Sequence, residues 1–324
     1  MTGLNRRAFI RRSVKAGMVS ASALVAGWWL HDTNRAALEP STEALSGIPD
    51  FSKRSDTGPA MAIGTGTDRG DLVQRTLGAM GGMTRFVRPG DRVVIKVNAA
   101  FASPPAISAT SHPDLVQEVV LACIEAGASD VVVTDNPIND PASCFWLSGI
   151  GQAAEAAGGR IVLPQADRFA RVSLAGARLI REWPVMVGPL AEANCLIGLA
   201  PLKDHHRSGA SMTIKNWYGL LGGRRNVFHQ DIHTIIAELA ALVRPTLVIL
   251  DAVTAMMHNG PTGGSISDLA DTNTLVAGID PVAVDAVGAR ILGRRLDQLP
   301  HLQQAAHAGL GILDYRTLNP VDVP

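Results

Sequence analysis

The chain is 324 residues long, 47% hydrophobic and only 18% charged, a balance that supplies a sizeable core and excludes an intrinsically disordered protein. Its formal charge is zero, but Arg6, Arg7, Arg11, Arg12 and Lys15 crowd the first fifteen residues without an acid, which leaves 24 basic against 29 acidic residues elsewhere. That balance lacks the basic stripe of a nucleic-acid binder, so no nucleic-acid partner is expected. The three cysteines, Cys123, Cys144 and Cys195, have no C-x-x-C spacing for an iron–sulfur cluster or zinc ribbon.

The amino terminus reads Asn5-Arg6-Arg7-Ala8-Phe9-Ile10-Arg11 and continues into a weakly apolar stretch, rich in Ala, Gly and Ser, from Val14 to Leu30. This order of a polar residue, two arginines, a free position, Phe and a second apolar residue resembles a twin-arginine (Tat) export signal. Lys15 and the shortage of bulky side chains set the stretch apart from a stable membrane span. The resemblance implies the twin-arginine translocation machinery as a partner, cleavage between about residues 24 and 40, no transmembrane span in the mature form, and a periplasmic or extracellular location. Residues 1–35 are read as the signal region and residues 36–60, without periodicity, as a linker or irregular arm; residues 61–324 form one α/β domain.

Beyond the arm, strand-like and helical patterns alternate. Met61 to Ile63 predicts a short strand and Asp71 to Met80 a helix. Gly64-Thr65-Gly66 between them lacks the third glycine of a dinucleotide-binding turn and reads as an ordinary turn. Arg92 to Val97 is a strand of β-branched residues that carries Lys96 near its carboxyl end and runs into Asn98. Ser111-His112-Pro113 then opens a helix to about Ala126, with Ser111 or His112 as the cap and the proline at the first position; its amide end also offers an anion site.

Asp130 to Thr134 is the next strand and delivers Asp135; a helix is expected from Trp146 to Ala157 and a strand from Ile161 to Leu163. Short strands around Val172 and Val185, a strand from Asn194 to Leu199, a helix from Asp231 to Val243 and a strand from Thr246 to Leu250 ending at Asp251 follow. A Gly-rich loop containing Gly260 and Gly264, a last strand from Thr274 to Ala277, a helix from Asp280-Pro281 to Leu292 and a short helix from Leu302 to Ala308 complete the chain. The alternation predicts an α/β fold, an open, mainly parallel sheet with helices on both faces, and marks residues 165–230 as the place where it would divide into two lobes. Sites in such sheets collect at the carboxyl ends of the strands.

Polar chemistry concentrates between Pro201 and His233, where two lysines, four histidines, three arginines and two aspartates follow an apolar strand. One reading is anion handling by Lys96, Lys203, Lys215, Arg224 and Arg225, with amides near Pro113 and from Gly260 to Gly264. A second is a divalent metal held by His229 and His233, which are four apart at the start of a predicted helix and so share a face. Gln230 follows His229, so the zinc-protease glutamate is absent. Adjacent His205 and His206 would point to opposite faces of a strand and so would not share one metal there, although one of them could join it from a loop. Ser208, Ser211 and Thr213 lie near histidines but in no nucleophile elbow. Asp135 and Asp251 at strand ends are candidate bases or ligands, with turn and capping roles as the alternative.

Several of these segments, in this order, resemble the bacterial and archaeal family known as domain of unknown function 362. They are Pro89-Gly90-Asp91 into Lys96-Val97-Asn98, Ser111-His112-Pro113, Leu202-Lys203-Asp204-His205, Ile214-Lys215-Asn216 with Gly219, Asp251 with Gly260-Pro261 and Gly264, and Asp280-Pro281 with Asp285. The resemblance covers roughly residues 60 to 295, with Val97 where the family's Lys-Pro-Asn pattern has proline. It implies an architecture and a residue set and names no reaction.

The leading expectation is an exported enzyme acting on a small anionic substrate or cofactor. Lys96, Asn98, His112, Lys203, Lys215, Asn216, Gly260 and Gly264 would bind it, and His205, His229 and Asp251 would supply acid–base or metal chemistry. The alternatives are a non-catalytic periplasmic binding protein for a small anion or cofactor, and a redox accessory protein, whose cofactor these cysteines could not hold in the usual way.

Overall fold

The computed structural model describes residues 41–45, 47–52 and 58–324; the export-signal reading lies outside the described residues. The strands are β1 Ser41–Leu45, β2 Met61–Thr65, β3 Arg92–Lys96, β4 Asp130–Thr134, β5 Arg160–Val162, β6 Phe169–Val172, β7 Trp183–Met186, β8 Cys195–Lys203, β9 Leu247–Met256, β10 Leu269–Gly278 and β11 Val321–Val323. Eight of them form one sheet in the order β11-β2-β10-β9-β8-β3-β4-β5. Neighbours run parallel except where β10 pairs antiparallel with β2 and β9. The unbroken apolar runs in β3, β4, β8 and β9 are the sequence counterpart of strands covered on both faces.

The helices that cover them are α1 Arg69–Ala79, α2 Pro113–Glu125, α3 Pro141–Leu147, α4 Ile150–Ala156, α5 Thr213–Asn216, α6 Ile232–Leu242, α7 Pro281–Ile291 and α8 Pro300–His307. On one face Leu72 of α1, Val116 and Val120 of α2 and Ile150 of α4 share a core with Val93, Ile95, Ile197 and Ile249. On the other, Gly288 of α7 lies against Leu202, Met212 and Leu250, while the Trp217 indole lies over Gly198 and Val248. His112 caps α2, its Nδ1 accepting from the Asp114 amide at 3.3 Å, and Asp280 caps α7 by accepting from Val282 and Ala283.

Several expected boundaries move, each for a physical reason. The helix expected from Trp146 to Ala157 is two helices, broken at Gly149, whose φ of +74° is the left-handed region that glycine enters without strain. Strand β8 runs on through Lys203, and β9 passes Asp251 to Met256, because β9 and β10 stay paired antiparallel from Met256–Leu269 to Val248–Gly278, with one register shift between Asp271 and Thr274. Part of the expected arm is strand β1, which joins β6 and β7 in a second sheet ordered β1-β6-β7. That sheet belongs to the same compact unit, which starts at residue 40, so residues 165–230 do not divide the fold into lobes.

Gly198 sets the spacing between β8 and the turn that carries the site. A Cβ there would stand 2.8 Å from the Trp217 ring, which is buried and cannot retreat. Gly198→Ala is expected to cost about 1–3 kcal/mol by overpacking, read as a lower urea midpoint with an unchanged slope. An unchanged midpoint would show that Trp217 is not locked against the sheet.

Candidate functional site

Strands β3, β4 and β8 end side by side, and beyond their carboxyl ends lies a cavity of about 560 Å³, counting its open mouth. Residues two apart on a strand share a face. Lys96 therefore points with Val94, away from the Val93 and Ile95 core, and its Nζ donates to Asp135 Oδ1 at 2.8 Å and to Asn216 Oδ1 at 2.9 Å. Asn98 Nδ2 donates to the same Asn216 oxygen at 3.1 Å, and Asn216 Nδ2 donates to the Leu199 carbonyl at 2.9 Å. Lys203 Nζ donates to the Ala109 carbonyl at 2.6 Å and to Asn98 Oδ1 at 3.4 Å, with the Phe101 ring 5.4 Å away. Both lysines are 1% exposed, so these partners replace water that burial has removed.

Lys215 differs. It lines the same cavity from α5, but among the described residues its ammonium has no hydrogen-bond or carboxylate partner; its contact is the Tyr218 ring at 5.2 Å. Asp135 is the one carboxylate lining the cavity among the described residues, and it is engaged by Lys96. Burial pushes the Lys203 amine down to about 7, helped by the charge of Lys215 and opposed by Asp135. Burial likewise brings Lys215 to about 7, with Arg225 and Lys96 adding repulsion. Lys96 is also lowered by burial, which outweighs the favourable charge of Asp135.

The histidines divide. His205 lies in the turn after β8, where its Nδ1 accepts from the Arg207 and Ser208 amides, both at 3.2 Å, so the neutral ring carries its proton on Nε2. Burial, with the charge of Lys215, pushes its pKa down to about 2. His205 is therefore a neutral hydrogen-bond donor, a correction to the acid–base role expected of it. His206 was expected to point away as on a strand, but the chain has turned and its ring stacks on His205 at 5.1 Å. His229 also stacks on His205, at 6.2 Å, and lines the cavity; its Nδ1 lies 3.2 Å from the Asn226 carbonyl. The Tyr218 hydroxyl donates to the Arg225 carbonyl, and burial pushes its phenol up to about 12.

Other expected residues stand elsewhere. His229 lies in a 3-10 turn and His233 in the first turn of α6, where His233 Nδ1 meets His301 Nδ1 at 3.0 Å. They therefore share no helical face, and among the described residues no group of three or more His, Cys, Asp or Glu is placed to hold a metal. Asp251 lies within β9 on the face of Leu247, Ile249 and Val253, where Arg69 Nε donates to it at 2.8 Å; it does not reach the cavity. His112 is a helix cap outside the lining. Gly260 donates its amide to Asp204 Oδ2 at 3.1 Å and leaves Pro261 as the loop's contribution to the cavity, while Gly264 lies in open space. Arg224 is exposed, whereas Arg225 spends its guanidinium on the carbonyls of Tyr218, Leu221, Asn136 and Pro137.

Two features hold the lysines in place. Asp285 of α7 accepts from Thr213 N at 2.8 Å, Thr213 Oγ1 at 2.6 Å and Ile214 N at 3.1 Å, which clamps the start of α5 and so positions Lys215 and Asn216. Burial nevertheless pushes the Asp285 carboxyl up to about 7. Gly219 passes so close to the Lys96–Asp135 pair that a Cβ would stand 2.1 Å from Asp135 Oδ1. Tyr218 and Phe101 belong to the lining without having been expected there. For Tyr218 a signal existed, since it stands three residues after Lys215. A larger signal is the scarcity of lysine: the chain has five, Lys15, Lys53, Lys96, Lys203 and Lys215, against 24 arginines, and three of the five line this cavity.

An open α/β sheet with a cationic cavity at its strand ends defines the architecture. Residues 93–290 match the family model described as "Domain of unknown function (DUF362)", and the chain belongs to that family. It is 28% identical over 241 residues to a thylakoid-associated protein of Synechocystis sp., covering 72% of each chain. Among solved structures, the lactate racemase apoprotein from Thermoanaerobacterium thermosaccharolyticum matches with a TM-score of 0.37 and 13% identity over 75% of this chain, which spans 58% of that protein. No helix among the described residues is long and apolar enough to cross a membrane.

Lys215 has a folded-state pKa of about 7 against an ordinary 10.5. Between those values the unfolded chain binds more protons, so this residue makes stability rise with pH, and its full cost is felt below pH 7. Lys215→Met is expected to stabilise the protein by roughly 1–2 kcal/mol at pH 7, after discounting for water reaching the cavity, and by much less near pH 10. Urea unfolding at the two pH values checks this; an equal gain at both would mean that charge burial is not its source.

Proposed function

We propose that the protein is an enzyme acting on a small anionic substrate held in the cavity beyond β3, β4 and β8. The observation that supports this is the convergence of Lys96, Lys203 and Lys215 from three separate elements on a space that has one carboxylate, Asp135, among its described lining residues. Two buried ammonium groups, those of Lys96 and Lys203, and the partly buried one of Lys215 repel one another, and a bound anion offsets that repulsion. In this reading Lys203 and the Lys96–Asn98–Asn216 network orient the anionic group. His205 donates from Nε2 to a developing negative charge, and Lys215 and His229 exchange protons with the substrate. A divalent metal at His229 and His233 draws no support from their positions.

Export is a separate part of the proposal and rests on Asn5-Arg6-Arg7-Ala8-Phe9-Ile10 alone. It would place the mature protein in the periplasm or outside the cell. Replacing Arg6 and Arg7 together by lysine should retain the protein in the cytoplasm, and unimpaired export of that variant would remove this part.

Calorimetry with phosphate and a panel of small carboxylates and phosphate esters tests the site. Binding should take up protons at pH 8, because the anion draws the Lys203 amine back to its charged form, and affinity should fall as pH rises from 7 to 9. Lys203→Met should weaken binding by about 2 kcal/mol or more, roughly thirty-fold, while Asp251→Asn leaves it unchanged. No heat from any ligand with the fold intact would overturn the site. Tight binding without chemical change of the ligand over hours, followed by NMR, would assign the cavity to a binding protein instead.

A further inference from the structure

We propose that Lys215 is a nucleophile that forms an imine with its substrate, so that the ligand class is a small carboxylate or phosphate bearing a ketone or aldehyde. This deepens the anion-site reading and rests on it. The three lysines of the cavity are not equivalent. The Lys96 ammonium is fixed by Asp135 and Asn216, and that of Lys203 by the Ala109 carbonyl and Asn98. Each is committed as a donor, which suits holding an anion and leaves no lone pair facing the ligand. Lys215 is positioned through α5, whose start is held by the three hydrogen bonds that Asp285 accepts from Thr213 and Ile214, while among the described residues the one contact of its Nζ is the face of Tyr218. An amine that borders a ligand-sized cavity, without a polar partner and close to fixed positive charge, is the arrangement in which lysine acts as a nucleophile. Arg225 supplies that charge, and Lys96 adds to it.

The chemistry balances without an added oxidant or reductant. The neutral Lys215 amine attacks the carbonyl carbon, a C–N bond forms, and the carbonyl π pair moves to oxygen. Both amine protons then leave with that oxygen as one water, giving the imine. His205 Nε2–H and the Lys203 ammonium are the donors available to the departing oxygen and to the acid group. Once protonated, the imine withdraws electrons from the bonds next to the former carbonyl carbon, the reaction class being cleavage of an adjacent C–H or C–C bond.

The scarcity of lysine makes the test clean, since Lys15, Lys53 and the terminal amine are the chain's amines besides Lys96, Lys203 and Lys215. The full chain would be incubated at pH 7 with glyoxylate or 2-oxoglutarate and cyanoborohydride, and the reduced adduct located by intact mass and peptide mapping. At that pH the fraction of free amine at Lys215 exceeds that of an ordinary lysine on the order of a thousand-fold. The adduct is therefore expected on Lys215 at least about ten times faster than on Lys53, after allowing for the lower nucleophilicity of a weaker base. Lys215→Arg, which removes the amine and fixes the positive charge, should lose this adduct; its melting temperature is expected to fall somewhat, with the fold intact by circular dichroism. Equal labelling of Lys215 and Lys53, or a labelling pattern in Lys215→Arg identical to that of the unaltered chain, overturns the imine. Calorimetry with succinate and phosphate, which carry no ketone or aldehyde, separates the two readings. Binding of these without trapping of the oxo acids removes the imine and leaves the anion site, whereas neither binding nor trapping removes both.

Discussion

Lys96, Lys203 and Lys215 bring three ammonium groups to a cavity in which Asp135 is the carboxylate among the described lining residues. Moving an ammonium out of water costs several kcal/mol even after relaxation, and one carboxylate can neutralise one of them. The protein meets that cost unevenly. Lys96 receives the ion pair, Lys203 receives a carbonyl and an amide oxygen, and Lys215 receives an aromatic face. The second and third lysines consequently titrate near neutrality, where a small change in ligand or pH moves a proton.

Such a cavity needs a frame that cannot relax to relieve the repulsion. The frame comes from places where side chains are missing or carboxylates are buried. Gly219 lets the backbone press on the Lys96–Asp135 pair, and Gly198 lets the Trp217 ring approach β8 closely. Asp285 reaches from α7 to close the first turn of α5, a four-residue helix too short to hold itself. The acid–base chemistry of the site is thereby separated from its mechanical support: Asp285 touches no lining lysine and works through Thr213 and Ile214.

Much of the architecture was legible because β3, β4, β8 and β9 are aliphatic runs divided by helical periodicities and capping residues, and such runs in alternation specify a parallel sheet with little ambiguity. The lysines were legible for a related reason: Lys96 and Lys203 interrupt or end those runs, and ionic groups in that position collect at the strand ends. Asp251 was misread because an aspartate after Thr246–Leu250 looks like a strand terminus. Only the position of Arg69, 182 residues earlier, shows that it is a buried ion-pair partner inside a longer strand. The His229 and His233 pair failed on local geometry, since a 3-10 turn up to Asp231 removes the 100° step that would have placed both rings on one face. Phe101 carries no pattern at all; it reaches the site through a loop whose path is set by tertiary packing.

Arg225 completes the electrostatic argument. Arginine keeps its charge at any working pH, whereas lysine can lose it when buried. The cavity uses both properties. The donors of Arg225 are committed to four backbone carbonyls from two loops, so it contributes a fixed positive field and little hydrogen-bonding capacity toward a ligand. That field falls on Lys215, whose ammonium has no carboxylate partner among the described residues, and also on Lys96, which has Asp135. Exchanging the two residue types would invert the arrangement: a lysine at 225 could not tie four carbonyls, and an arginine at 215 could not give up its proton. The lining carries three of the chain's five lysines and one of its 24 arginines, which suits the same difference, because a residue that can become neutral relieves a cavity that already holds too much positive charge.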